Sequence, residues 1–439
     1  MGLRRKLASH SVLIFGMRLF GAGLVFLAQA AIARFWGPTL LGEYLLIIAT
    51  VNLVSVVMPL GFQTVGTYFA AEYRARGEGR QLWSFLARAY GHVLLILALL
   101  VFGGRHVLPF FGEPGEVLQA HWLPACLLAL GTALVYVNGA VLVGMRRPFA
   151  GFFADTMFRP MAVIAAFAIS LPVADPQAAF AEMLWIVSLA YVAVALVHFG
   201  FVVTTAREVP LEPAPRPAEA RRWWRFAMPW VLVSLATDFF FDIDLLLLSG
   251  HLSREELAIF GVCTRMFSLV SFGVAAVYAV TLPDMFESEA KSDRQGFHRK
   301  IGDANLVAAM LSVGLFVGMG LAGPLALLLF GPDFLAGAGP LAVLCLSLVV
   351  RSVFGPASLV LSIHDRPYAS LPSVALGMVT LALANLALVP ACGLMGAAIA
   401  ALLAISVWNF ALWLTALRTA GIDVSIWPRL RRGPAATAA

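Results

Sequence analysis

Apolar runs of twenty or more residues, each closed by a short cluster of Arg, Pro or Gly, recur along the whole 439-residue chain. A run of this kind crosses a hydrocarbon core roughly 30 Å thick as a helix of about 20 residues. A closed barrel would instead show residue-by-residue alternation, which the chain lacks. With 61% hydrophobic and 12% charged residues, the bilayer rather than water is its solvent. The expected fold class is therefore all-α, a polytopic membrane protein of about twelve transmembrane helices. Coarse spans are 11 to 33, 42 to 67, 83 to 104, 118 to 144, 150 to 172, 180 to 204, 224 to 248, 256 to 282, 303 to 330, 336 to 362, 369 to 390 and 394 to 418.

The N-terminus, MGLRRKLASHSVLIFGMRLFGAG, starts basic, and Ala28 to Ala30 resembles a cleavage site. Arg18 interrupts the would-be signal core and eleven further segments follow, so an uncleaved first helix is expected. The stretch AREVPLEPAPRPAEARR is the one long segment rich in both Pro and charge, and it reads as a linker between halves. The expected organisation is an N-terminal six-helix bundle over 1–206, a cytoplasmic linker over 207–222 and a C-terminal six-helix bundle with a cytoplasmic tail over 223–439.

Placing the N-terminus in the cytoplasm puts 22 of the 30 Lys and Arg on that side and only Arg34, Arg105 and Arg254 on the other. This asymmetry predicts cytoplasmic termini. It also gives the net charge of +6 a topological meaning, whereas nucleic-acid binding would need a basic face interleaved with aromatics on a soluble surface. Cys126, Cys263, Cys345 and Cys392 are isolated in apolar runs, so free structural thiols are expected and no metal spacing arises. Neither HExxH nor GxxxxGK[ST] occurs, which leaves no metalloprotease site and no ATP-cradling loop.

The two halves share landmarks. Phe111-Gly112 and Phe330-Gly331, like Arg147-Pro148 and Arg366-Pro367, are separated by 219 residues. Gly42-Glu43-Tyr44 corresponds to Ala258-Ile259-Phe260 at 216. Six helices are an even number, so both copies enter the membrane in the same sense, as parallel repeats. A formal GxGxxG at Gly318, Gly320 and Gly323 lies in an apolar helix with no strand ahead of it, which excludes a dinucleotide loop; Gly314 and Gly318 predict close helix packing instead.

Ionisable groups within the apolar spans carry the functional signal, since each costs about 2.5–3.5 kcal/mol at a helix centre. Asp155 and Arg159, four apart on the fifth helix with the acid first, are expected to pair along one face. The seventh helix carries Asp238, Asp242 and Asp244; the first two share a face and the third lies roughly 200° from Asp242. Asp238 and Asp242 are candidates for proton or sodium coupling, with neutralisation of arginines as the alternative. Arg265 lies near the depth of Asp242 and is a possible partner for it; Arg351 falls near the middle of the tenth helix. Arg18 and Arg88 are near enough to the helix ends to snorkel. The five intramembrane cations are all Arg and none is Lys. A guanidinium stays charged at any depth and donates two parallel hydrogen bonds, so the set points to a cationic cavity for an anionic group such as a diphosphate. The expected binding residues are Arg18, Arg159, Arg265 and Arg351.

RLFGAGLVFLAQAAIARFWGPTLLGEY, with its Arg and its ARxxGP-like turn, and DIDLLLLSGHLSREELAIFGVCTRMFSLV, with an Asp in the seventh helix and an Arg in the eighth, carry a resemblance over essentially the whole chain. The chain resembles the polysaccharide-export, O-antigen-type flippase branch of the multidrug/oligosaccharidyl-lipid/polysaccharide (MOP) exporter superfamily. That resemblance implies a MATE-like fold of two six-helix bundles around a V-shaped cavity that opens alternately to either face. It implies a flippase that moves undecaprenyl-diphosphate-linked oligosaccharide to the outer leaflet of the inner membrane, with Arg18, Asp242 and Arg265 matching recurrent family charges. Membrane lipids and other polysaccharide-assembly proteins are the implied partners; no cofactor, metal or nucleic acid is expected. The lipid II branch usually carries two further helices, which are not found after residue 418. Two other readings remain: a MATE-like cation or drug antiporter, and a membrane-embedded polymerase or ligase. The enzyme would call for a sizeable, charged outer loop.

Overall fold

The computed structural model describes residues 3–211, 219–290, 294–363 and 366–431, and among them it is almost wholly helical, without a named strand. In hydrocarbon every backbone N–H and C=O must be satisfied within its own segment, and the helix does this. The first half contains α1 (Leu3–Trp36), α2 (Pro38–Val57), α3 (Phe62–Arg76), α4 (Gly79–Leu99), α5 (Arg105–Val107), α6 (Glu113–Ala120), α7 (Trp122–Gly144), α8 (Pro148–Phe153), α9 (Arg159–Ser170) and α10 (Pro176–Ala206). There follow α11 (Glu219–Asp238), α12 (Phe240–Leu248), α13 (Arg254–Ala290), α14 (Arg294–Leu327), α15 (Ala338–Phe354), α16 (Ala357–Ile363), α17 (Leu371–Ala420) and α18 (Trp427–Arg431). Helix starts are written locally. Asp175 caps α10 ahead of Pro176, and Ser253 and Glu256 form a reciprocal capping box at the start of α13.

Among the described residues, ten helical stretches are long and apolar enough to cross a membrane. The longest, Tyr368–Ala420, holds two passes, because α17 breaks at Gly393, whose φ of 53° and ψ of −133° are not helical. A straight helix of 50 residues would reach about 75 Å, more than twice the hydrocarbon thickness. The seventh segment, expected as one helix over 224–248, is α11 and α12 divided at Phe239. These two adjustments recover the twelve segments.

Two other segments expected to be continuous are interrupted. The second is α2 and α3, separated by a turn in which Leu60 and Gly61 have φ of 51° and 85°. The tenth is α15 and α16, separated at Gly355-Pro356, with Gly355 at φ 78° and ψ −177°. At Gly61 a side chain would be crowded as well as strained, since an added Cβ would lie 2.5 Å from the Ala227 carbonyl oxygen. The GxxxG expectation is corrected: open space surrounds Gly314 and Gly318, so neither serves as a close packing contact. All four cysteines are free, three of them buried; Cys392 is exposed at the α17 break.

The chain divides into two compact units, Met1–Leu246 and Leu247–Ala439. The division falls later than the expected linker, of which 212–218 lies outside the described residues. The reason is packing: α11 lies against α3, and Trp223 is buried in a core with Phe62, Phe69, Tyr73 and Phe85. Within that unit α7 is the central helix, flanked by α10, α3, α2 and α4. In the second unit α15 packs on α14 and α17, and Phe297, Ile301, Val360, Leu412 and Val424 share a core.

At one end of the first unit Tyr73 receives a hydrogen bond from Trp223 Nε1 at 2.6 Å and donates to Glu219 Oε2 at 2.9 Å. Arg222 pairs with Glu72 at 2.8 Å, and this carboxylate holds its guanidinium above the usual range. Burial pushes the Tyr73 phenol up, opposed by the Trp223 hydrogen bond and reinforced by Glu219. Tyr73→Phe removes both bonds and leaves Trp223 Nε1 without its acceptor. A loss of about 1–2 kcal/mol is expected, read as a lower unfolding midpoint in detergent.

The repeat is visible in backbone detail. Arg147 and Arg366 have φ of −116° and −123° before their prolines, and each N–H donates to the carbonyl five residues back, Leu142 and Leu361, at 2.8 Å. Both halves therefore end a helix with the same turn.

Candidate functional site

In the first unit five elements bring polar groups to Arg159. A π-helical turn over Ala154–Phe158 joins α8 to α9 and carries Asp155. Such turns widen a helix locally and redirect its side chains. Arg159 Nη1 lies 3.6 Å from Asp155 Oδ1, the i,i+4 pair anticipated from spacing. Tyr191 of α10 donates to the same carboxylate oxygen at 3.0 Å, and the Arg159 guanidinium stands 5.8 Å from the Tyr191 ring centroid. Arg159 Nη2 donates to Asn52 Oδ1 at 2.7 Å, and Asn52 Nδ2 donates to Asp242 Oδ2 at 3.2 Å. Tyr136 of α7 stands beside Arg159. The result is a continuous path, Asp242 to Asn52 to Arg159 to Asp155 to Tyr191, through α12, α2, α9, the π turn and α10.

Chemically this path links two carboxylates through an amide that is satisfied at both ends. A change of charge on either carboxylate alters the field at the guanidinium, so the cluster can register a proton or a bound cation. Arg159, expected as a binding residue, has its guanidinium committed to Asn52 and Asp155.

The remaining residues differ in setting. Asp242 is buried, 4% exposed, whereas Asp238 is exposed and takes a hydrogen bond from Thr237 at 3.3 Å. The break at Phe239 explains this: the helical register used to place both on one face is not continuous between them. Asp244 is fully buried. Arg18 is exposed on α1, its guanidinium 4.7 Å from the centroid of the Phe152 ring, and Arg88 lies over Trp223 at 5.0 Å. In the second unit Arg265 is half-buried on α13. Arg351 is exposed and sits not at mid-helix, as expected, but in the last turn of α15, directly before the Gly355-Pro356 break. A cation there complements the negative end of the helix dipole.

Sequence reasoning passed over Asn52, Tyr136 and Tyr191. A signal existed: uncharged polar groups in apolar spans seek hydrogen-bonding partners as charged ones do, and the chain has only eight tyrosines.

No family model matches the sequence, and no curated protein matches it in sequence. Solved structures match in fold. An inward-facing multidrug-resistance MATE transporter of the MOP superfamily superposes with a TM-score of 0.72 at 14% identity, over 94% of this chain and 96% of that one. The lipid II flippase MurJ in an inward closed conformation gives 0.75 at 13%, over 94% and 88%. A MOP-superfamily transporter from Pyrococcus furiosus, described as having a binding pocket of reversed polarity, gives 0.61 at 14%, over 95% and 94%. The chain thus has the α-helical fold of MOP-superfamily transporters and is a multi-pass membrane protein. Its structural neighbours are transporters and flippases rather than enzymes.

Proposed function

We propose that this protein is a flippase that moves an undecaprenyl-diphosphate-linked oligosaccharide from the cytoplasmic to the outer leaflet of a bacterial inner membrane, by alternating access and without covalent chemistry. It serves surface polysaccharide biosynthesis, and both termini lie in the cytoplasm. The observation that carries the reading is the setting of Arg18 and Arg351, which are exposed on otherwise apolar spanning helices. A guanidinium on a spanning helix is costly unless it meets water or a polar partner, and a bound anionic head group supplies such a partner. The planar fork matches the two phosphates, which a single ammonium would not. Arg265 joins Arg351 in the second unit, and in the first unit the Asp242 to Asp155 path, together with Asp238, couples the cycle to a proton or sodium ion.

The test is flipping of a lipid-linked oligosaccharide in reconstituted vesicles. Arg351→Ala is expected to lower the rate at subsaturating substrate about 10- to 150-fold, the equivalent of about 1.5–3 kcal/mol from one charge-assisted hydrogen bond, with Arg351→Lys intermediate. Unchanged rates in Arg18→Ala, Arg265→Ala and Arg351→Ala together would rule the mechanism out. The hydrogen-bonded carboxylate path favours one second reading, a cation-coupled drug antiporter. That reading predicts drug efflux lost in Asp242→Asn with glycan export intact.

A further inference from the structure

The chain does not leave the bundle when α17 ends. Residues 422–426 run as irregular backbone against the second unit; Val424 is fully buried and Ser425 nearly so. Irregular backbone among membrane helices is tolerated only where protein supplies its hydrogen bonds, and here the supply is specific. The break after α15 leaves carbonyls in its last turn without helical donors. Gly355 N–H bonds the Arg351 carbonyl at 3.0 Å, and Ile426 N–H bonds the Val353 carbonyl at 3.0 Å. Gly355 itself lies under the Val424 carbonyl so closely that no side chain fits between them.

A second connection runs through side chains. Asn305 of α14 is fully buried; its Nδ2 donates to the Val424 carbonyl, and its Oδ1 accepts from the Tyr278 hydroxyl at 3.1 Å. The Asp423 carboxylate folds the segment, accepting from Trp413 Nε1 at 2.8 Å and from Ser425 N–H and Oγ at 3.0 and 2.6 Å.

We infer that residues 422–426 form a docked strap that sets the position of Arg351 for the anionic head group, with Asn305 as the positioning residue that ties strap, Tyr278 and α15 together. The strap holds Arg351 through the backbone of the α15 end: Ile426 N–H is bonded to the Val353 carbonyl two residues beyond Arg351, and Asn305 fixes the Val424 carbonyl beside Gly355. Neither Asn305 nor Asp423 touches substrate. The inference rests on Arg351 being a binding residue.

The test uses the full chain in vesicles with Cys392→Ser, which removes the exposed natural thiol, and Ile426→Cys as reporter. In that background a water-soluble maleimide is expected to react slowly at position 426. Asn305→Leu and Asp423→Ala should each speed labelling about tenfold, while Asp423→Asn, which keeps the acceptor oxygen, restores protection. In flipping, Asn305→Leu should raise the half-saturating substrate concentration about tenfold and leave the maximal rate within about twofold. The same change in an Arg351→Ala chain should have no further effect. Rapid labelling of position 426 in the otherwise unaltered reporter would overturn the strap. An equal penalty from Asn305→Leu with and without Arg351 would overturn the positioning role. If Arg351→Ala itself leaves flipping unchanged, the functional reading fails, while the labelling pattern still decides whether the strap is docked.

Discussion

Arg159→Leu is expected to abolish transport and to lower the stability of the first unit by about 1.5–3 kcal/mol, the range for losing a charge-assisted hydrogen bond inside a protein. Arg159 is the hub of its cluster: it bonds Asn52 at 2.7 Å and faces Asp155 at 3.6 Å. Its loss strips Asp155 of the counter-charge and leaves Asn52 Oδ1 without that donor. Breaking such a pair costs more than the pair contributes, because one charge stays behind. Asp155→Asn restores charge balance, so Arg159→Leu/Asp155→Asn should recover part of the stability but not transport. Thermal unfolding in detergent supplies the cycle. Strict additivity of the two single effects would show that the cluster is not a unit.

Gly355→Val is expected to be the most damaging single substitution in the second unit. Its φ of 78° with ψ near 180° is a conformation essentially confined to glycine, and forcing another residue into it costs about 1–3 kcal/mol. The new Cβ would also collide with the Val424 carbonyl and lie 2.7 Å from Asn305 Nδ2. The α15 end or residues 422–426 must then move, so a total loss above about 3 kcal/mol is expected, seen as poor recovery of folded protein and a depressed unfolding midpoint. Gly314→Ala, in open space on α14, is the control: it should be neutral or stabilising by about 0.5–1 kcal/mol. Equal behaviour of the two variants would refute the assignment.

Particular residues show how far reading from the chain could go. Apolar run length predicted helices throughout, because hydrocarbon forces every backbone group to be satisfied locally. Landmarks such as Arg147-Pro148 and Arg366-Pro367 exposed the repeat, because a proline and its predecessor restrict the backbone wherever they stand. Asp155 and Arg159 were readable as a pair because helix geometry brings i and i+4 together. Asn52 was not readable as their link to Asp242, since the separation of 190 residues has no local signature. Arg351 was found but misplaced along its helix: Gly355-Pro356 is a break that hydropathy averages over.

What the chain determined by itself was therefore its class, its helices, its repeat and a list of charged residues in apolar spans, all consequences of nearest-neighbour geometry and of solvation. Which charges are engaged with neighbours and which are exposed, where three helices interrupt, and how residues 422–426 return to the α15 end were decided only by tertiary packing. Those outcomes depend on contacts between residues far apart in sequence, and a hydrogen bond such as Asn305 to Val424 exists only once the intervening helices have folded back.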